Sequence, residues 1–367
     1  MTTGIAKIKK TVKSITSDIE KYLAENKLCK DTKLASTKEL ADKYGVSLST
    51  IKRVFANLCN KGLIYQVQGK GTFVAKRKVS KLNKYIGYFA WKHNSHSILD
   101  EAAYGTFERR VLDGLLNLGA KVDFIRRLGF RQEILSMNDA FKYDILLIPA
   151  GMVTPSTLPM LKRLSIPIIL YGDCKIHDYP FHQVCHFYDT AFEKAVKLIQ
   201  EKGIKKIYIA QNPEESSEQR GNCLRKIASS MGLEHETLPF SEEQTAGTLQ
   251  AIDNGRHFAQ YVIENKIEGL IFSMTDFISI GFAEILDKNN IEIGKKIQLI
   301  SYDNLESREP YKPEKPIFSS INHPTKILAD ELLELTLSLG TKKYYHDSPL
   351  RIIKVPAGKL IIRKSFQ

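Results

Sequence analysis

Within seven residues, Ser47, Ser49, Thr50, Lys52 and Arg53 gather three hydroxyls and two cations. Side chains of this kind hydrogen-bond phosphate oxygens and base edges, and the cations neutralise phosphate charge. A second set is dispersed along the chain. Asp189, Arg220, Asp276 and Asp303 each follow a short apolar run, Trp91 follows YIGYFA, and Phe240 closes HETLPF. Carboxylates and a guanidinium bridge neighbouring hydroxyls of a ligand, while an aromatic ring covers its apolar face. A third set, Cys174, His177, His182, Cys185 and His186, falls within thirteen residues. Cysteine and histidine at such spacing can bind zinc. This segment matches no finger pattern, however, and an extended run there turns Cys185 and His186 to opposite sides. No metal is expected.

The elements that position the first set can be read locally. Ser36 and Glu39 bracket the start of TKELADKY as a capping box. Gly45 breaks that helix where a left-handed residue is needed. Ser47 then caps a helix over Leu48–Cys59, in which Ile51, Val54, Phe55 and Leu58 form one buried stripe. At about 100° per residue, Ser49, Arg53 and Ala56 point the opposite way, with Thr50 and Lys52 on the flanks and Leu48 near the edge of the stripe. Gly62 ends the helix, LIYQV alternates as a strand, QGKG turns, and TFVA returns. Gly69 and Gly71, on either side of Lys70, let the backbone approach a phosphate closely. Val12, Ile15, Ile19, Tyr22 and Leu23 predict a helix over Val12–Glu25 packed behind the hairpin. The same spacing also fits an amphipathic hairpin with a solvated basic face.

Charge separates these readings. The 367-residue chain carries a net charge of +13. Residues 1–81 hold 18 Lys and Arg against 6 Asp and Glu, whereas the rest hold 36 against 35. The excess is confined to the segment with the basic helix, which points to nucleic acid rather than to a generally basic surface. A membrane partner is not expected, because there is neither an amphipathic anchor with exposed aromatics nor a run of about 18 apolar residues. MTTGIAKIKK lacks the apolar core of a secretion signal. Five cysteines fit a reducing cytoplasm better than a disulfide framework.

From Tyr85 the character changes. Apolar strands such as YIGYFA, DILLIPA, IPIILYGD, GLIFSM and IQLISYD alternate with helices such as FERRVLDGLLNLGA, RQEILSMNDAFK, TAFEKAVKLIQEKG and TKILADELLELTLSL. That rhythm predicts parallel sheets covered on both faces. One open sheet of so many strands would be unusually wide, so two lobes are expected, with a ligand in the cleft at the carboxyl ends of the strands. The expected organisation is α/β. A DNA-binding domain over 1–76 leads through a linker at 77–84, AKRKVSKLNK in its surroundings, to a two-lobed domain over 85–367.

Two resemblances sharpen this. LASTKELA, the VSLST turn, the G-L-I step and QGKGTFV together resemble the winged helix-turn-helix of the GntR family of bacterial transcription regulators, over roughly residues 12–76. The resemblance implies DNA contact by Thr37 and Lys38, by Ser47, Ser49, Thr50, Lys52 and Arg53, and by the wing turn Gly69, Lys70 and Gly71. Two positions depart from the family pattern: Leu48 and Lys38 each stand where Arg is usual. The operator preference is therefore expected to differ from the family's common half-site.

Tyr85 onward is similar to the effector domain of the LacI family, itself similar to periplasmic binding proteins. The resemblance is carried by HFYDTAFEKAVKLIQEKGIKKI, TDFISIGFAEILDKNNIEIGKKIQLISYDN, IFSSINHPTKILADELLELTL and KLIIRKS. Phe192 and Lys205 replace that pattern's Gly and His. This resemblance implies sugar binding, and Asp189, Arg220, Asp276 and Asp303 match the family's ligand positions. Asp189 and Asp276 also suit simple helix caps, Arg220 also suits a surface pair with Glu215 or Glu218, and Trp91 also suits ordinary core.

A GntR reader joined to a LacI-like sensor resembles the arabinose-repressor type of sugar regulator. The combination implies a homodimeric repressor on a double-stranded operator, switched by a monosaccharide that closes the lobes. The alternatives are a reader fused to an enzyme-like domain or to a non-sensing architectural one. No G-x-x-x-x-G-K-[ST], H-E-x-x-H or G-x-S-x-G motif occurs. Neither catalysis nor a cofactor is expected.

Overall fold

The computed structural model describes residues 11–25, 31–60, 63–75, 82–90, 97–125, 142–173, 179–213, 215–239, 248–341 and 349–367. The chain divides into two compact units, Met1–Ser80 and Lys81–Gln367.

The first unit contains α1 (Val12–Glu25), α2 (Thr37–Tyr44) and α3 (Leu48–Asn60), followed by an antiparallel wing of β1 (Ile64–Val67) and β2 (Gly71–Val74). The start of α2 is a complete capping box. Ser36 Oγ accepts the Glu39 amide at 3.2 Å, and the Ser36 amide donates to Glu39 Oε2 at 2.7 Å. Gly45 closes the helix in the left-handed region, at φ 65°. Ile15 and Ile19 of α1, Leu40 and Ala41 of α2, Ile51, Val54, Phe55 and Leu58 of α3, and Ile64 of β1 make one core. Two positions differ from the sequence reading. Tyr22 is 48% exposed rather than buried, and Leu48, expected at the edge of the stripe, is 51% exposed. Leu48 is the first residue of its helix and is not part of that core. The wing also has a third edge: the Val74 amide donates to Thr32 O and the Leu34 amide to Thr72 O, each at 2.9 Å.

The second unit holds two six-stranded sheets. In the first lobe the strands are β3 (Tyr85–Phe89), β4 (Lys121–Ile125), β5 (Ile145–Pro149), β6 (Ile168–Gly172), β7 (His182–Phe187) and β13 (Ile352–Pro356). They are parallel throughout, in the order β13-β7-β6-β5-β3-β4. The second lobe uses β8 (Lys206–Ala210), β9 (Glu234–Thr237), β10 (Gly269–Ser273), β11 (Ile297–Asp303), β12 (Ser319–Asn322) and β14 (Leu360–Ile361). Its order is β14-β12-β11-β10-β8-β9, with only β14 antiparallel to its neighbour.

Helices cover the faces of both sheets. In the first lobe, α4 (Ile98–Asp100) runs through a π-helical turn (Glu101–Gly105) into α5 (Thr106–Asn117), and a short α6 (Leu158–Leu161) packs on the other side. The second lobe has α7 (Asp189–Glu201) and α8 (Glu215–Ser230) on one face, with α9 (Thr248–Glu264) and α10 (Asp276–Lys288) on the other. The chain then returns, because α11 (Thr325–Gly340) buries Leu328, Leu332 and Leu335 against the first sheet. Leu82, from the expected linker, also enters that core, at 3% exposure. The parallel, doubly covered sheets explain why these strands read as continuous apolar runs. The helix expected over RQEILSMNDAFK and Gly62 lie outside the described residues, as does most of the linker.

Candidate functional site

In the first unit, the exposed side of α3 carries Leu48, Ser49, Lys52, Arg53, Ala56 and Asn57. The Ser47 hydroxyl is a local hub. It lies 2.8 Å from both Ser49 Oγ and Thr50 Oγ1, and it accepts the Thr50 amide at 3.2 Å. The last contact caps α3 and aims its first turn outward, where free backbone N–H groups favour an anion. Lys38 is exposed and Thr37 half-buried on α2. In the wing turn, Gly69, Lys70 and Gly71 are all exposed, with φ of 74° at Gly69 and 122° at Gly71. A β-carbon at Gly71 would meet only the end of the Lys33 side chain, at 3.0 Å, so it is the positive φ at both positions that calls for glycine.

In the second unit, a cavity of about 340 Å³ lies between the two sheets. It sits at the carboxyl ends of the strands, where an open parallel sheet places its ligand. Gly172 ends β6 and Asp173 follows it, Asn212 follows β8, Thr275 follows β10, Asp303 ends β11, and His323 follows β12; all line the cavity. The π turn supplies Ala103 and Tyr104, and Phe107 comes from the start of α5. Gly105 leaves room for the Glu101 carboxylate, which a β-carbon there would meet at 2.3 Å and displace. Glu101 folds past it to pair with Arg109.

Arg220 of α8 is the centre of this site. Its Nη2 reaches Asp173 Oδ2 of the first lobe at 3.4 Å, and its Nη1 reaches Asp303 Oδ1 of the second at 3.3 Å and Met274 O at 3.1 Å. The guanidinium lies 4.4 Å from the centre of the Tyr302 ring. Asp303 Oδ2 accepts the Thr275 hydroxyl at 2.7 Å. Burial works to raise the Asp173 carboxyl, but the Arg220 charge and His186 outweigh it and hold that group below its ordinary value. Behind this row, His186 Nε2 lies 2.8 Å from the Tyr302 hydroxyl, and the His186 and His323 rings are 4.3 Å apart. Burial, then His186 and the nearby arginines, push His323 well below its ordinary value, so it is neutral at pH 7. Two buried donors in the lining, Arg220 Nε and Asn212 Nδ2, have no protein acceptor. Each is a buried donor whose acceptor the protein does not supply.

Asp303 has φ 106° and Asn304 φ 55°, unusual for residues with a β-carbon. The Asn304 amide donates to Ser320 Oγ at 2.9 Å, and Arg308 donates to Asp303 O. The Leu305 amide donates to Asp276 Oδ2 at 2.6 Å. The strained corner is thus held on three sides, and it turns the Asp303 carboxylate into the cavity.

Of the expected ligand residues, the structure brings Arg220 and Asp303 together and leaves Asp189 and Asp276 outside the lining. Asp276 is 1% exposed, with both carboxylate oxygens engaged by Leu305 N and Ser320 Oγ. The cap of α10 is Thr275, not Asp276. Asp189 opens α7 beside Cys223, whose thiol is pushed up to about 12 by burial and then by the Asp189 charge. Trp91, Phe240, Cys174 and His177 lie outside the described residues. His182 Nδ1 accepts the Arg351 amide at 3.1 Å, and among the described residues no cluster of three metal-ligating side chains occurs. Sequence reasoning missed Asp173, although YGD ends a strand as SYD does. It also missed Asn212, His323, Arg308 and Tyr104.

The gntR family of bacterial regulatory proteins matches residues 11–74, and the periplasmic binding protein-like domain matches residues 196–366. The chain is 34% identical over 67 residues to the HTH-type transcriptional repressor NagR of Bacillus subtilis (strain 168), covering 18% of this chain and 28% of that protein. It thus spans little more than a quarter of the length of that curated relative. Among solved structures, a LacI family transcriptional regulator from Enterococcus faecalis V583 with bound ribose superposes with a TM-score of 0.60 at 16% identity, over 77% of this chain and 98% of that one. Another, from Arthrobacter sp. FB24 in complex with lactose, gives 0.58 at 15% identity, over 77% and 99%. These likenesses show the fold: a GntR winged helix-turn-helix followed by a LacI-like, periplasmic-binding-protein-like domain.

Proposed function

We propose that this chain, a GntR reader joined to a LacI-like domain, is a ligand-responsive transcriptional repressor whose operator binding is switched by a monosaccharide in the cavity. The observation that carries the proposal is the Asp173–Arg220–Asp303 row, which joins the lobes across a cavity with unpaired donors. A ligand seated there touches both lobes at once. Its binding therefore favours one lobe arrangement over another, and a difference in affinity between two states is what allosteric coupling requires. NagR is itself a repressor and the two solved relatives hold sugars, which supports the same reading. The charged lining residues are Asp173, Asp303, Arg220 and Arg308, two of each sign, which favours a neutral polyol over a sugar acid or phosphate. Thr37, Lys38 and the exposed face of α3, with the wing turn, would contact operator DNA. A homodimer would place two readers on a two-fold symmetric site.

The test is a thermal-shift screen of the full chain against arabinose, ribose, xylose, fucose, sugar acids and sugar phosphates, followed by operator binding with and without each hit. A ligand at a hundred times its Kd adds about 2.7 kcal/mol to stability. A neutral sugar should give that shift and weaken DNA binding. A shift only with acids or phosphates would overturn the monosaccharide assignment.

A further inference from the structure

Leu48 is the unexplained side chain on the basic face. It is 51% exposed, it belongs to no packed cluster, and apart from Tyr22 on α1 it is the only large apolar group so exposed among the described residues of the first unit. Single exposed leucines are ordinary on protein surfaces. This one, however, is the first residue of α3, between the Ser47 hub and Ser49, and Lys52 and Ala56 follow it at four-residue steps along the same side. In a helix laid in the major groove, the first turn is the part that reaches base edges.

Leucine has no donor or acceptor. Set against guanine, adenine or cytosine, it would strip water from polar edge atoms and return no hydrogen bond. The one apolar feature of the major groove is the 5-methyl group of thymine. We propose that Leu48 reads a thymine in each operator half-site through that methyl group, and so sets base preference at one position that the hydroxyls and cations of α3 do not specify. This rests on the reading of the chain as an operator-binding regulator.

The test begins with selection of preferred duplexes from a random pool by the full-length chain. Each thymine of the selected half-site is then replaced by deoxyuridine, which lacks only the methyl. Affinity is measured by fluorescence anisotropy at fixed salt for the wild type and for Leu48→Ala. Burying one methyl is worth about a fourfold change in Kd per half-site. One position should show that loss in the wild type, and Leu48→Ala should bind the thymine and uracil duplexes equally there. At the same position, 5-methylcytosine should be bound better than cytosine by the wild type alone. Helix content and melting temperature of Leu48→Ala should match the wild type, because the side chain is outside the core. If the variant keeps the discrimination, or no thymine responds, the assignment is overturned. If no duplex is selected at all, the operator-binding reading falls, and this assignment falls with it.

Discussion

The Leu305 amide donates a 2.6 Å hydrogen bond to the Asp276 carboxylate, and this bond ties the first turn of α10 to the corner that carries Asp303. Asp276 thus shapes the cavity without lining it. Its carboxyl is pushed up to about 7 by burial and then by the Asp303 charge, against hydrogen bonds from Ser301, the Leu305 amide and Ser320.

A pH dependence follows from that raised value. The folded state holds the Asp276 proton up to about pH 7, whereas the unfolded chain releases it near the ordinary aspartate value. Between roughly pH 4 and 7 the folded state binds more protons than the unfolded one, so this group's contribution to stability falls as pH rises and levels off above 7. Asp276→Asn, which keeps the amide acceptor, should remove that slope. Urea denaturation of both proteins from pH 4 to 8 checks it: the stability difference should move in favour of the variant as pH rises, and a constant difference would contradict the assignment.

Removing Arg220 leaves Asp173 and Asp303 buried without their cation. Arg220→Met should cost about 3–5 kcal/mol of stability, the usual result of breaking a buried ion pair from one side. Asp303→Asn, which keeps the shape, should cost less. Both should lose the sugar-induced thermal shift, and a variant that keeps it would place the ligand elsewhere.

The helices α9 and α10 touch backbone to backbone. A β-carbon at Gly281 would sit 1.8 Å from Ile252 O, and one at Gly255 would sit 2.0 Å from Ile278 O. Neither neighbour is a side chain that can swing away. Gly281→Ala or Gly255→Ala should therefore cost about 1–3 kcal/mol or more by overpacking. Chemical denaturation reads the loss directly.

On the reader, Lys52 and Arg53 are both exposed on α3. Where either meets a phosphate, its alanine variant should weaken binding to all duplexes alike and reduce the slope of log Kd against log salt by about 1. A loss confined to one sequence would instead mark that residue as a base reader. Titrations at several salt concentrations distinguish the two.

Much of the architecture was legible because its signals are local. The capping pair Ser36 and Glu39, the turn glycine Gly45 and the stripe Ile51, Val54, Phe55 and Leu58 each declare themselves within a few residues. The parallel strands are legible as apolar runs. What stayed hidden depends on neighbours distant in sequence. Asp276 reads as a ligand because it follows a strand, but only Ser320 and Leu305 show where its oxygens go. The π turn shifts the helix phase, so a 3.6-residue period does not show Tyr104 at the cavity. Leu48 falls near the stripe by angle, yet nothing stands opposite it at the helix start. The edge at Thr32 and Leu34 has no alternation to announce it.

Neither lobe is one stretch of sequence. The chain passes to the second lobe after β7, returns with α11 and β13, and leaves again to add β14, with Phe366 buried in the second lobe's core. Residues 188–324 therefore separate the first lobe's early strands from the helix that covers them. At roughly 5–20 residues per second, a ribosome needs on the order of ten seconds to make that interval. During synthesis β3 to β7 have α5 and α6 to pack on but lack the part of their cover that α11 supplies, and the second lobe in turn lacks β14. Each lobe is thus completed by segments from the last part of this sequence, α11 and β13 for the first and β14 for the second.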